Sequence, residues 1–294
     1  MVVSEVPEKQ NFYIITVNYK SRESIELLID SLVGGSKPKK FIIVDHSGEL
    51  SGTTFHANFP IQVISQENRG YGAGLNRGLR EIPESDALVL LCNPDVRLLT
   101  PEKLADVADY MNSNSQVGAH SPRIITHEGY NVSSCRQFYN FLTVMAVRVG
   151  WIVRKCPPFI ERHYYWDKGF ETPFVADWAS GAALFCRLST FPDRNFFDER
   201  FFLYMEDVDF SARLWENGRT IEYFPEFMVE HYEARRSRKS FRFLFLHVSS
   251  LLKFIWKYKG FPTRESLTRK KQRQSVVQRG FVAKLRYMMA AIKG

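Results

Sequence analysis

Apolar and polar positions follow two distinct patterns along the first two thirds of the chain. Short apolar runs with many β-branched residues, which are typical of buried strands, are separated by segments whose apolar residues recur at helical spacing. One predicted helix begins after Ser21 as its cap and ends at Gly34, and another has Thr100 as cap and Pro101 at its first position. The predicted strands are FYIITV at 12–17, KFIIVD at 40–45, IQVIS at 61–65 and ALVLLCNPD at 87–95.

This alternation predicts an α/β fold. Because strands separated by helices form parallel sheets that are covered on both faces, we expect a Rossmann-like, mostly parallel central sheet with flanking helices. Residues 130–176 are less regular and rich in aromatic residues, and we predict a loop or lid there with some helix in 138–152. The later predicted elements are a loop and strand at 177–188, a helix from Met205 to Asn217 and a strand at 220–225.

Polar residues stand where several of the predicted strands end. Asp45, the loop that starts at Asn68, and the turn from Asn93 to Asp95 all lie at carboxyl ends of strands. Ligands of open parallel sheets bind at this edge, so the sequence predicts a ligand site there.

The glycine-rich segment ENRGYGAGLNRG spans residues 67–78. It matches neither the P-loop, which needs Gly-Lys-Ser/Thr, nor the dinucleotide fingerprint in its usual place after the first strand. Two interpretations stay open. It is either a simple turn, or a loop whose backbone approaches the diphosphate of a sugar nucleotide at a helix N-terminus.

Asp95 ends a buried strand in the segment LCNPDV. The carboxylate is either solvated at a turn or holds a divalent cation that bridges two phosphates, since hard cations prefer carboxylate oxygens. One acid cannot hold a metal alone, and His231 in VEHYE is a candidate second ligand.

Three carboxylates follow a run of large apolar residues in FFLYMEDVDF, at 201–210. On a helix, Asp209 and Arg213 have the spacing of an ion pair, which gives Asp209 a structural explanation. Glu206 and Asp207 lie at the predicted helix N-terminus, where they either cap the helix or act on a sugar hydroxyl as a general base.

The net charge of +8 is distributed unevenly. Residues 233–294 carry 17 Lys and Arg against two acidic residues, a charge of +15, so the preceding 232 residues carry −7. The four cysteines form no zinc-binding cluster, and the N-terminal residues lack a basic start followed by an apolar run. We therefore expect a cytoplasmic protein without a signal peptide.

The segment SFRFLFLHVSSLLKFIWKYKG, at 240–260, is apolar and aromatic but is interrupted by Arg242, His247 and Lys253. Its uninterrupted runs fall short of the ~20 residues that span a bilayer. We predict that residues 240–294 form a basic amphipathic helical tail that lies on the cytoplasmic face of the inner membrane. The alternative is a helix that packs on the catalytic domain, residues 1–239, and has a solvated basic face. Nucleic acid is not an expected partner, because no recognised nucleic-acid motif is present.

Seven segments resemble, in order and spacing, the inverting family 2 glycosyltransferases, and most of all their bacterial rhamnosyltransferase branch. The resemblance covers about residues 12–240, and it implies the GT-A fold with a nucleotide-sugar donor at the strand ends. One departure is NPD at 93–95, which leaves one acid where the family commonly has DxD. The segments are IITVNYKS, IIVDHSG, ENRGYGAGLNRG, LLCNPDV, DWASGAALFCRL, FFDERFFLYMEDVDFSARLWENG and VEHYEARRS.

The resemblance also implies roles for individual residues. Asp207 would be the catalytic base, Asp95 and His231 would hold Mg²⁺ or Mn²⁺, and Trp178 and Glu206 would border the acceptor. The donor would be bound by Asp45, Asn68, Gly70, Tyr71, Gly72, Asn76, Asn93 and Asp95.

The expected activity is transfer of L-rhamnose from dTDP-L-rhamnose, with inversion, to a hydroxyl of a glycolipid or of a polyprenyl-diphosphate-linked or growing polysaccharide. One alternative is another donor, such as a UDP-hexose. The other is a non-catalytic module that binds a nucleotide sugar or nucleic acid.

Overall fold

The computed structural model describes residues 12–148, 153, 155, 157–231 and 241–270. A ten-stranded sheet dominates it, and β8 and β10 form a separate two-stranded sheet. The strands are β1 (Phe12–Asn18), β2 (Lys40–Asp45), β3 (Ile61–Ser65), β4 (Leu88–Cys92), β5 (Val96–Leu98), β6 (Val117–Ile125), β7 (Asn131–Val132), β8 (Cys135–Arg136), β9 (Phe174–Ala176), β10 (Trp178–Ala179), β11 (Ala183–Arg187) and β12 (Thr220–His231).

Helices flank the sheet. Short 3₁₀ turns cover Trp166–Lys168 and Leu188–Thr190, and residues 264–270 are helical. The α-helices are α1 (Arg22–Asp30), α2 (Tyr71–Leu79), α3 (Lys103–Ser113), α4 (Phe141–Arg148), α5 (Pro158–His163), α6 (Glu206–Glu216) and α7 (Phe241–Tyr258).

The predicted α/β fold class is confirmed, but the sheet is more mixed than expected. Its strand order is β3-β2-β1-β4-β11-β6-β12-β5. The first four strands are parallel, as predicted, whereas β11 runs antiparallel to both β4 and β6. A strand that is buried on both faces has the same apolar pattern in either direction, so the sequence pattern could not reveal this reversal.

Two further differences concern strand limits. The strand predicted at 87–95 is shorter in the structure, because β4 ends at Cys92 and residues 93–95 form a turn that leads into β5. The strand predicted at 220–225 continues to His231, because a register shift between Phe224 and Met228 accommodates Pro225, which has no N–H for the ladder. Strand β6 did not figure among the predicted elements.

The sheet has a separate core on each face. On one face β1 directs Tyr13, Ile15 and Val17 into a cluster with residues of α2 and α6. On the other face Phe12 and Ile14 join a cluster with residues of α1 and α3. This alternation along one strand confirms that helices cover both faces of the sheet. The carboxyl ends of the parallel strands β1, β2 and β4 lie together at one edge of the sheet.

A third cluster joins the C-terminal helices to the body of the protein. Phe254 of α7 and Leu267 pack with Trp178, Met205 and Trp215. Residues 241–270 therefore share a core with α6, as the alternative interpretation of the tail expected. The boundary predicted between residues 239 and 240 falls in a segment, 232–240, that lies outside the described residues. None of the helices within the described ranges is long and apolar enough to cross a membrane.

Candidate active site

Asp207 lies in the first turn of α6, and the two residues before this helix have an unusual backbone conformation. Tyr204 and Met205 both have left-handed backbone conformations with φ of 67°. This conformation costs roughly 1–2 kcal/mol for each non-glycine residue, and such strain concentrates at functional sites. Asp207 Oδ2 accepts a hydrogen bond from the Gly181 N–H at 3.2 Å.

The same segment connects Asp207 to the end of β4. Residue 182 follows Gly181 directly, and the Ala182 carbonyl accepts a hydrogen bond of 2.8 Å from the Asn93 N–H. The candidate base and the turn at 93–95 are therefore hydrogen-bonded to two adjacent residues, Gly181 and Ala182. Both lie at the carboxyl edge where the sequence predicted a ligand site.

The two predicted metal ligands lie together. His231 ends β12 opposite Val96, and its Nε2 is 3.3 Å from Asp95 Oδ1. Asn93 Nδ2 is 3.3 Å from the same nitrogen. No cluster of three or more His, Cys, Asp or Glu side chains suited to a metal occurs in the described part of the chain. An ion at this pair would take its other ligands from water and substrate phosphates, as Mg²⁺ commonly does.

Glu206 is buried beside the candidate base. Its side chain is 8% exposed, and Oε2 has no hydrogen-bond partner among the described residues. Burial, and then the neighbouring Asp207, raise the pKa of Glu206 to about 8. Burial also raises the pKa of Asp207, although hydrogen bonds from Gly181 and Val208 and the charge of Arg136 oppose the shift.

Tyr71 lies among these acids. Its hydroxyl is buried without a hydrogen-bond partner in the described structure. Burial raises its pKa well above 10, and Glu206, Asp95 and Asp207 add to the increase. An unsatisfied hydroxyl and an unsatisfied carboxyl oxygen are therefore buried in one acidic environment.

The glycines of the 67–78 segment serve packing in this structure. A Cβ added at Gly70 would lie 2.6 Å from the Phe202 carbonyl oxygen, and one at Gly72 would lie 2.7 Å from Phe197 Cβ. Asn68 Oδ1 accepts a hydrogen bond from the Gly70 N–H at 3.1 Å. The segment thus holds the N-terminus of α2 tightly against the stretch that leads into α6. Donor contacts by Asn68, Gly70, Tyr71 and Gly72 stay predictions.

Asp45 and Asn76 occupy supporting positions. Asp45 is buried, and its carboxylate accepts hydrogen bonds from Asn18 and from the loop residues 47–50. Burial alone would raise its pKa, but these hydrogen bonds lower it overall. Asn76 has no exposed surface. Its side-chain amide donates to the Phe197 carbonyl at 2.8 Å and accepts a hydrogen bond from the Phe197 N–H at 3.0 Å. Both side chains shape the walls of the edge, and their direct contact with a donor stays a prediction.

An arginine that the sequence reasoning missed lies beside Trp178. Pairing of β8 with β10 puts Arg136 opposite Trp178, and its guanidinium carbon lies 4.9 Å from the indole ring and 5.3 Å from the Tyr164 ring. Trp178 itself is buried and donates to the Gln137 carbonyl at 2.8 Å. A basic residue among aromatics in CRQFY was the available signal, but only strand pairing shows where it lies.

The ion pair predicted between Asp209 and Arg213 is wrong. Asp209 instead pairs with Lys257 at 2.5 Å and accepts a hydrogen bond from the Tyr258 hydroxyl at 3.0 Å. Arg213 donates to the Phe196 carbonyl at 2.9 Å. The prediction considered the helix alone, whereas α7 brings a closer cation from the end of the chain.

Helix α7 runs along the segment that precedes α6. Ser250 donates to the Leu203 carbonyl at 2.8 Å, Lys253 to the Arg200 carbonyl at 2.9 Å, and Lys257 to Asp198 at 2.8 Å. Its opposite face carries a row of exposed apolar side chains: Phe241, Leu244, Phe245, Val248, Leu252 and Trp256.

Comparison with known proteins identifies sequence relatives of the chain. No protein-family model matches it. A Mycobacterium tuberculosis protein named N-acetylglucosaminyl-diphospho-decaprenol L-rhamnosyltransferase is 27% identical over 239 residues, which cover 75% of this chain and 76% of that protein. Rhamnosyltransferase WbbL of Escherichia coli is 24% identical over 254 residues, which cover 83% of this chain and 92% of WbbL.

Two solved structures share the fold. S. aureus TarS 1-349 in complex with UDP has a TM-score of 0.52 at 16% identity, covering 83% of this chain and 66% of that one. GalNAc-T7 with UDP, GalNAc and Mn²⁺ has a TM-score of 0.54 at 11% identity, covering 85% of this chain and 48% of that one. The chain therefore has the GT-A fold, and it is a glycosyltransferase whose sequence relatives are named rhamnosyltransferases.

Proposed function

We propose that the protein transfers L-rhamnose from dTDP-L-rhamnose to a hydroxyl of a sugar that is linked through a diphosphate to a polyprenyl lipid, with inversion at the anomeric carbon. The observation that carries this proposal is the connection of Asp207 through Gly181 and Ala182 to the Asn93–Asp95 turn beside His231. The names of both sequence relatives support the sugar, and the name of the Mycobacterium tuberculosis relative supports the acceptor class.

Asp207 acts as the general base. Its carboxylate takes the proton of the acceptor hydroxyl while the hydroxyl oxygen attacks the anomeric carbon from the side opposite the leaving group. A bond forms between that oxygen and the anomeric carbon, and the bond to the departing nucleoside diphosphate breaks. The Gly181 N–H orients the carboxylate, and a single displacement of this kind inverts the configuration.

Asp95 and His231 would hold Mg²⁺ or Mn²⁺. Two converging protein ligands suit an ion that also binds two phosphates, and the fold neighbour GalNAc-T7 is described with Mn²⁺. When bound, the ion would neutralise charge on the leaving diphosphate. Asn93 Nδ2 lies within hydrogen-bond distance of the same His231 nitrogen that faces Asp95.

The base is tested by Asp207→Asn, which keeps the shape of the side chain but cannot accept the proton. We expect kcat for rhamnosyl transfer to fall at least ~10²-fold, while binding of dTDP-L-rhamnose, measured by thermal shift, is retained. Asp193→Asn, an exposed aspartate in the loop before α6, is the matched control.

Near-normal turnover in the Asp207→Asn variant would overturn the assignment of the base. A panel of nucleotide sugars with the wild-type protein tests the donor. Stabilisation by UDP-hexoses in preference to dTDP-L-rhamnose would favour the alternative donor, and binding without transfer to any acceptor would favour a non-catalytic module.

We also propose that the exposed row on α7 lies on an anionic membrane surface. Phe241 and Trp256 are 92% and 78% exposed, and Arg242, Lys253 and Lys259 flank the row. The sequence after residue 270 adds six Lys and Arg and no acid. Apolar side chains that enter the headgroup region, together with nearby basic charge, are the features of an interfacial helix. A lipid-linked acceptor would be met at this surface.

A further inference from the structure

Arg136 lies beside the candidate base and forms no salt bridge among the described residues. Its guanidinium is hydrogen-bonded to the Tyr139 side chain, but its Nε is buried without a hydrogen-bond partner. The residue as a whole is partly exposed, so a ligand can reach it. Its charge acts on the pKa of Asp207, which puts the guanidinium within electrostatic range of the base without pairing to it.

The aromatic rings around Arg136 hold it in place. Trp178 and Tyr164 both contact the guanidinium, and Tyr164 stacks on Trp166 with ring centroids 4.7 Å apart. Trp178 cannot move easily, because it is buried and its indole N–H is bonded to Gln137. A guanidinium stacked on rings keeps its planar N–H edges available, and these edges match two phosphate oxygens at once.

The backbone from Trp178 to Ala182 indicates on which side of the reaction Arg136 lies. Arg136 is paired with Trp178 at one end of this segment, Asp207 is bonded to Gly181, and the Asn93–Asp95 turn is bonded to Ala182 at the other end. Along this segment, the contact of the candidate base therefore lies between that of Arg136 and that of the turn predicted to bind the donor diphosphate. In an in-line displacement the acceptor occupies the side opposite the leaving group, and the base is next to it.

We infer that Arg136, whose guanidinium lies over the rings of Trp178 and Tyr164, binds the diphosphate of a lipid-linked acceptor sugar. This inference rests on the proposed function, and it names the part of the acceptor that the protein recognises. The diphosphate is one sugar ring away from the hydroxyl that Asp207 deprotonates. Recognition of its charge selects sugars that are still attached to their lipid carrier over neutral glycosides.

Binding without turnover tests this inference in the full-length protein. Titration calorimetry compares N-acetylglucosaminyl diphosphate attached to a short prenyl chain with the octyl glycoside of the same sugar. We expect Arg136→Gln to weaken binding of the diphosphate probe at least 10-fold and to leave binding of the octyl glycoside and of dTDP unchanged. Arg136→Lys keeps the charge but loses the two-pronged contact, and it should fall between. Arg162→Gln, an exposed arginine of α5, is the control for net charge.

Three results would overturn the inference. Equal loss for the diphosphate probe and the octyl glycoside would mean that Arg136 acts only through packing or through Asp207. Loss of dTDP affinity in Arg136→Gln would assign the residue to the donor. Unchanged affinity for the diphosphate probe in both variants would remove it from ligand binding. Absence of rhamnosyl transfer by the wild-type protein would contradict the proposed function instead, because these affinities are measured without donor.

Discussion

Two adjacent carboxyl groups begin α6, and they differ in their hydrogen bonds and in the charges around them. Glu206 is buried with an unbonded oxygen, whereas Asp207 accepts a backbone hydrogen bond and feels the charge of Arg136. Neighbouring carboxyls resist double ionisation, so one of them retains its proton near neutral pH. Burial and the neighbouring Asp207 raise the pKa of Glu206 to about 8, while hydrogen bonds from Gly181 and Val208 and the charge of Arg136 favour the ionised form of Asp207.

The Glu206→Gln variant tests this assignment through the pH dependence of stability. Burial raises the pKa of Glu206 from 4.5 to about 8 in the folded protein, so its contribution to stability is complete below 4.5 and is lost as the pH rises towards 8. The free energy of unfolding should therefore fall by up to about 1.4 kcal/mol per pH unit from this proton. Glutamine stays neutral, and urea unfolding from pH 5 to 8 should show a flatter dependence in the variant. Parallel curves for the two proteins would show that Glu206 titrates normally.

Metal dependence is tested at Asp95. We expect EDTA to suppress transfer, and we expect Asp95→Ala to weaken donor binding more than acceptor binding, by about 10-fold or more, because the bridge between protein and diphosphate is lost. Asp109→Ala, an exposed aspartate on α3, is the control. Full activity in EDTA would assign leaving-group neutralisation to protein cations such as Arg69. Arg77 is already paired with Glu81, and Arg235 lies outside the described residues.

At the scale of elements, helix α7 exposes its apolar side, whereas one of its lysines faces the protein. Lys257 faces the body of the protein and pairs with Asp198 and Asp209, while the apolar row faces outwards. A surface helix of a monomeric soluble protein rarely exposes so many large apolar side chains in one patch. Through Asp209 the helix is also connected to α6, two residues from the candidate base.

Point substitutions on the exposed row test membrane binding. Phe245→Ser combined with Trp256→Ser should reduce co-sedimentation with anionic liposomes at least ~10-fold, because burying each such side chain contributes roughly 1.5–3 kcal/mol. Donor binding should be unchanged. Val33→Ser, at a 74% exposed position away from α7, is the control. Truncation before α7 is a poorer test, because it removes Phe254 from the shared core.

Failure of the full-length protein to sediment with anionic liposomes at low salt would overturn the membrane proposal. Concentration-dependent dimerisation that the same double substitution abolishes would instead assign the row to contact between two copies of the chain.

On the scale of the whole molecule, the site is built from segments far apart in the sequence. The sheet brings β4, β11 and β12 together, and the Asn93–Asp95 turn, Gly181 and His231 meet at their ends. The 197–204 stretch lies between the glycine-rich segment and α7 and carries contacts from both. Part of the basic C-terminal region, residues 241–270, packs on the α6 side of the body.

The sequence by itself determined the elements of the parallel half of the sheet and the start of α6, because hydrophobic periodicity acts over a few neighbouring residues. The predicted cap at Thr100 is wrong, since α3 begins at Lys103 and has no side-chain cap. The sequence also identified Asp95 and His231 as a pair, through a family resemblance. Tertiary structure alone decided the antiparallel direction of β11, the pairing of Asp209 with Lys257, and the position of Arg136 beside Trp178. Each of these depends on which distant segments pack together, and that choice is made by the free energy of the whole core rather than by any local pattern.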